Sequence, residues 1–89
     1  MKRLVLVVKG EVQGVGFRYR TSQLARSLGV KGFARNRLDG SVEIVAEADE
    51  NALENFEAQI RKGFFVRETL RKEELATGEF ASFEVRPTQ

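Results

Sequence analysis

The apolar and polar positions of this chain change period several times, and each change marks an element. Leu4-Val5-Leu6-Val7-Val8 is an unbroken apolar run within Arg3 to Lys9, the pattern of an interior strand. From Phe17 the period becomes helical: Phe17, Thr21, Leu24, Ala25 and Leu28 share one face, with Arg20, Gln23, Arg26 and Ser27 on the other. Gly29 is a natural helix stop. Val30 to Leu38 reads as a second strand, and Asp39-Gly40 as a two-residue hairpin turn with φ > 0 at both positions. On the return strand Val42, Ile44 and Ala46 alternate with Glu43, Val45 and Glu47. A second helix starts within 48–51, either capped by Asp49 or opened by a capping box of Asn51 and Glu54. Leu53, Phe56 and Ile60 form its buried stripe, Arg61 and Lys62 its last turn, and Gly63 its end. Phe80 to Val85 reads as a last strand of undetermined register, ended by Pro87. Between them, Phe64 to Leu75 is ambiguous, because Arg67 to Glu74 is rich in helix-forming residues.

Length and composition narrow the picture. Eighty-nine residues supply the core of one small domain, spanning 1–89. At 42% hydrophobic and 31% charged the composition is that of a soluble globular chain. No apolar run reaches membrane-spanning length, and Met1-Lys2-Arg3 leads into a strand without a signal pattern, so the cytoplasm is the expected compartment. The absence of cysteine removes disulfides, thiolate nucleophiles and cysteine zinc sites; the absence of histidine removes Ser-His-Asp and Cys-His catalysis. Any catalysis must therefore use arginine, asparagine, carboxylates, hydroxyls and the backbone. Charge is unevenly spread. Residues 1–40 carry nine Lys/Arg against Glu11 and Asp39, whereas residues 41–89 are net acidic. A basic half suits a small anionic substrate, a nucleic acid or a merely solvated surface.

The stretch Gly10-Glu11-Val12-Gln13-Gly14-Val15-Gly16-Phe17-Arg18 joins the first strand to the first helix. Its glycines permit φ > 0, so successive N–H groups can point into one hollow, and the helix that follows adds unpaired N–H groups and the positive end of its dipole. Arg18 brings a permanent cation whose planar fork can hold two oxygens of a phosphate or carboxylate. Strand, glycine loop, arginine and helix make an anion cradle. On the residues alone, a plain glycine-rich turn with a solvated arginine accounts for the same string.

Two strings resemble a known family. Val12-Gln13-Gly14-Val15-Gly16-Phe17-Arg18 resembles the signature loop of the acylphosphatases. Gly32-Phe33-Ala34-Arg35-Asn36, followed by Asp39-Gly40-Ser41-Val42-Glu43, resembles the family's second element in order and spacing. The match is specific from about Leu4 to Ala48. In 64–75 the chain departs from the glycine-proline pair and alternating strand typical of the family, yet the resemblance still implies a strand there. It implies an α+β ferredoxin-like sandwich, β-α-β-β-α-β with an extra C-terminal strand: an antiparallel sheet with two helices on one face. It also implies an activity, hydrolysis of the carboxyl–phosphate bond of small acyl phosphates by direct attack of a positioned water. Arg18 and the backbone N–H groups of Gln13, Gly14, Val15, Gly16, Phe17 and Arg18 would hold the phosphoryl oxygens, and Asn36 would position the water. No metal and no cofactor are implied. Inorganic phosphate would be product and competitive inhibitor, and the chain is expected to act as a monomer without nucleic acid or membrane partners.

The same fold serves non-catalytic modules, so an anion-binding, regulatory or interaction domain is the alternative, sustained by the unusual 64–75 segment. Gly14 to Tyr19 is not a dinucleotide fingerprint, because Tyr19 occupies the third glycine position. Lys31-Gly32-Phe33-Ala34 resembles part of an RNA-recognition signature but continues as Arg35-Asn36, on the wrong strand. Glu43, Glu47, Asp49 and Glu50 read as strand-face and helix-start residues rather than metal ligands.

Overall fold

The computed structural model describes residues 1–63 and 65–89. The chain runs β1 (Lys2–Gly10), α1 (Phe17–Ser27), β2 (Lys31–Asn36), β3 (Val42–Ala48), α2 (Glu50–Arg61), β4 (Val66–Leu75) and β5 (Phe83–Arg86). The strands form a five-stranded sheet in the order β4-β1-β3-β2-β5. β1 pairs antiparallel with both β3 and β4, and β3 pairs antiparallel with β2. β1 and β2 are therefore parallel but separated by β3, and β3 and β4 are separated by β1. This is the split crossover of the ferredoxin-like sandwich. The extra strand β5 joins the edge parallel to β2, so the sheet is antiparallel through four strands and mixed at one edge.

Register explains which side chains are buried. Leu4, Leu6 and Val8 oppose Ala46, Ile44 and Val42, and Gly32, Ala34 and Asn36 continue the same rows on β2. Opposed residues share a face. Leu4, Leu6, Val8, Ala34, Val42, Ile44 and Ala46 form one apolar cluster with Phe17 and Ala25 of α1, Leu53, Phe56 and Ile60 of α2, and Phe83 of β5. Both helices therefore cover this one face. Val5 and Val7 on the other face are only half-buried, although they belong to the same apolar run.

The helices start differently. The carboxylate of Asp49 accepts from Ala52 N at 2.8 Å, so α2 uses the Asp49 cap and not the Asn51–Glu54 box. α1 has no side-chain cap: its N-cap is Gly16, in the left-handed region at φ 77°. In α1 the buried set includes Ser22 beside Phe17, Thr21 and Ala25, while Leu24 and Leu28 are partly buried against the core.

Three expectations need correction. The β2–β3 hairpin forms, but its turn is not the two-residue type. Arg37 N donates to Ser41 O at 2.8 Å and Gly40 N to Arg37 O at 3.1 Å, so Leu38, Asp39 and Gly40 form a three-residue loop. Only Gly40 has φ > 0 (92°), and Asp39 instead accepts from Ser41 N and Oγ. The second correction concerns length at the C-terminus, where β5 begins at Phe83 and not at Phe80. Phe80 lies in the preceding connector and packs edge-on against Phe33, ring centroids 5.9 Å apart. The third concerns β2, which runs Lys31–Asn36 and not Val30 to Leu38, because the chain leaves the ladder at Arg37 to enter the turn. Local propensity loses over Val66–Leu75, which is a strand paired with β1, with a register shift between Lys9 and Gly10 that leaves Arg67 out of the ladder. Phe64, the first residue of the expected strand, lies outside the described residues. Without β4 the free edge of β1 would leave a row of unpaired N–H and C=O groups, a cost that outweighs a weak helix preference.

Candidate active site

The β1–α1 loop is pinned at both ends and open between them. Val12 and Phe17 are buried in the core, whereas Gly14, Val15 and Gly16 are exposed. Gly14 and Gly16 both sit in the left-handed region, at φ 75° and 77°, which turns the backbone back on itself and into α1 without a side-chain cap. Among the described residues, no backbone N–H from Gln13 to Arg18 donates to another group of the protein. Such a row of unspent donors at a helix start favours an anion.

Arg18 stands in the first turn of α1, half-buried, with Nη1 donating to the carbonyl of Arg86 at 2.8 Å. No carboxylate lies within ion-pair distance of it among the described residues, so its charge is uncompensated. Arg18, Gly14, Gly16, Phe17, Tyr19 and Val85 line a hollow of about 150 Å³, large enough for a phosphoryl group.

Asn36 ends β2 on the helix-covered face, opposite Val42 and next after Ala34, which opposes Val85. It is almost fully buried, and its Oδ1 is a buried acceptor without a hydrogen-bond partner among the described residues. Such orphaned groups are rare, because an unmade buried hydrogen bond costs about 1–3 kcal/mol. The backbone around it is held firmly: Gln89 N donates to Asn36 O at 3.0 Å, and Leu38 N donates to Gln89 O at 3.2 Å. Gln13 bridges the loop to the same hairpin through Arg37 O and Ser41 O. The loop and Asn36 thus lie at the same end of the sheet, joined through Gln13, with Arg18 tied to the neighbouring tail at Arg86; Asn36 is not among the residues lining the hollow. The Ser41 hydroxyl, then its N–H, hold the Asp39 carboxyl below its ordinary value in the adjacent turn.

The carboxylates singled out in the sequence take other roles. Glu43 pairs with Arg35 at 2.7 Å, Glu50 with Lys2 at 3.0 Å, and Asp49 caps α2. Glu47 accepts from Arg3 Nε at 2.8 Å and from Thr77 and Gly78 N at 2.9 and 3.0 Å. Sequence reasoning missed two contributors to the site. The side chain of Gln13 carried a signal, an amide inside a glycine loop. The tail from Arg86 to Gln89 carried none, because it acts through backbone groups.

A glycine loop with unspent N–H donors on a ferredoxin-like sandwich defines a class, and comparison with known proteins defines the family. The acylphosphatase family model matches residues 4–85. An acylphosphatase of Treponema denticola is 45% identical over 87 residues, covering 96% of this chain and 93% of the relative. One from Thermotoga maritima is 59% identical over 63 residues, 71% of this chain and 70% of the relative. The crystal structure of acylphosphatase from Bacillus subtilis superposes with a TM-score of 0.92 at 36% identity, covering 97% of this chain and 99% of that one. The chain belongs to the acylphosphatase family, and the non-catalytic module is not favoured: its support was the odd 64–75 segment, and Val66–Leu75 is a strand paired with β1, with one register shift near its start.

Proposed function

We propose that Arg18, Asn36 and the loop N–H groups carry out the family's hydrolysis of small acyl phosphates. The phosphoryl oxygens lie in the hollow above the loop, held by the N–H groups of Gln13, Gly14, Val15, Gly16, Phe17 and Arg18 and by the Arg18 guanidinium. Water attacks phosphorus, the bond from phosphorus to the acyl oxygen breaks, and a carboxylate and inorganic phosphate leave. Asn36 holds that water: its Oδ1 accepts from the water without taking its proton. The leaving carboxylate is stable, so positioning and charge stabilisation suffice without a base. The observation that carries this reading is the combination of spare donors, an unpaired arginine and an unpartnered buried amide oxygen at one end of the sheet.

Residues 1–89 act as one domain and as a monomer, a reading supported by the charged side chains that line the β4 edge, Arg71, Lys72, Glu73 and Glu74. A cytoplasmic setting is supported by the lack of cysteine; no helix among the described residues is long and apolar enough to cross a membrane.

Inorganic phosphate, which offers the loop the same oxygens as the substrate, tests the site. It should inhibit competitively with respect to acyl phosphate. Arg18→Gln should abolish that competition and Asn36→Ala should preserve it. Undiminished inhibition of Arg18→Gln would put the anion site elsewhere.

A further inference from the structure

We propose that the Gln13 side chain is a positioning residue for the hydrolysis, setting the phosphate loop at a fixed distance from Asn36. This rests on the catalytic reading above and adds a role for a side chain that it leaves idle.

Gln13 Nε2 donates to Arg37 O at 2.8 Å and to Ser41 O at 2.9 Å. Both amide hydrogens are therefore spent, and both partners are carbonyls. Only the NH₂ end can face two acceptors, so the orientation of the amide is forced by chemistry. The two carbonyls are well chosen. Arg37 directly follows Asn36, and Ser41 directly precedes Val42, the residue opposite Asn36 in the ladder. Each carbonyl also accepts from the turn itself, Ser41 O from Arg37 N and Arg37 O from Gly40 N. A carbonyl has two lone pairs, and here the turn and Gln13 take one each. The turn closes the hairpin, and Gln13 then fastens the closed hairpin to the loop.

No other hydrogen bond among the described residues joins this loop to the β2–β3 turn. The phosphoryl cradle is built on the β1–α1 loop and the water-holding group on the hairpin. The β1–β3 ladder brings the two within reach, and this bridge then fixes the loop against the hairpin, and with it the distance between attacking water and phosphorus. A bridge that served stability alone would need no such siting. Near-attack geometry is sensitive on the scale of an ångström, so losing the bridge should act on the chemical step.

The test uses Gln13→Met, similar in length and without donors, assayed with benzoyl phosphate alongside Asn36→Ala and the double variant. Gln13→Met should lower kcat about 10-fold to 100-fold. Inhibition by inorganic phosphate should stay within about threefold of wild type, because the loop N–H groups and Arg18 remain. The double variant should turn over no more slowly than Asn36→Ala alone, because Gln13 acts through Asn36. A kcat for Gln13→Met within about twofold of wild type, or losses that multiply in the double variant, would overturn the proposal. Gln13→Asn keeps the amide but is one methylene too short, and gives the same readouts should Gln13→Met fold poorly. The two layers fail separately. Wild-type kcat in Asn36→Ala sinks the catalytic reading, whereas a normal Asn36→Ala loss with an unaffected Gln13 variant sinks only the bridge.

Discussion

On the sheet face away from the helices, Arg3 donates to Glu47 at 2.8 Å and to Thr77 Oγ1 at 2.9 Å, and Arg35 donates to Glu43 at 2.7 Å. At the loop end of the sheet, Arg18 meets, among the described residues, one backbone carbonyl and no carboxylate. The first region is saturated. Glu47 is 2% exposed, yet Arg3, Thr77 and Gly78 supply donors to its oxygens. Arg86 and Arg35 stack on Phe33, at 4.1 and 5.3 Å from the ring centroid. The second region leaves its donors, its cation and the Asn36 amide oxygen unspent. A folded chain tolerates such unmade bonds only where the rest of the structure holds them open.

Breaking the unspent side should have the largest effect. Asn36→Ala should cost about 10²–10³ in kcat, comparable to losing one transition-state donor elsewhere, with little loss of stability. Steady-state kinetics beside a thermal melt check this. Breaking the saturated side should do the reverse. Glu47→Gln leaves Arg3 without its buried partner and weakens the connector that carries Thr77 and Gly78, at a cost of about 1–3 kcal/mol in a urea titration. Turnover at moderate temperature should be nearly unchanged, since this cluster lies on the far face.

The smallest effect comes with pH. Burial alone would push the Glu47 carboxyl up, but the donors from Thr77, Arg3 and Gly78 outweigh it and hold the group below its ordinary 4.5. The cluster therefore contributes in full above that ordinary value and loses its contribution as pH falls through the lower folded value. Acid titration of the melting temperature should show this decline, and Glu47→Gln should flatten it. The rate, in contrast, should vary little between about pH 5.5 and 7.5, where a chain without histidine has few groups to titrate. A bell-shaped profile in that window would point to a proton-transferring base.

Much of this contrast is legible in the sequence, and the illegible parts share a cause. Leu4 to Val8, the Leu53–Phe56–Ile60 stripe and the Val42–Ile44–Ala46 alternation encode their elements locally, so pattern alone finds them. The resemblance of two short strings points to Arg18 and Asn36. What escapes depends on partners distant in sequence. Arg67 to Glu74 is helix-prone by itself and becomes strand because β1 presents an edge. Phe80 is apolar but leaves the ladder to pack on Phe33. Asp39-Gly40 suits more than one turn, and the bonds to Ser41 decide between them. The tail at Gln89 reaches Asn36 through its backbone, which no side-chain pattern announces.

The central claim is that the unspent groups catalyse, and one comparison tests it most directly: hydrolysis of benzoyl phosphate by the wild-type chain, Arg18→Gln and Asn36→Ala, without added metal and with the folding of each verified. Turnover by the wild type, lost in both variants while Asn36→Ala still binds inorganic phosphate, is the predicted result. A folded Arg18→Gln or Asn36→Ala that turned over at the wild-type rate would contradict it.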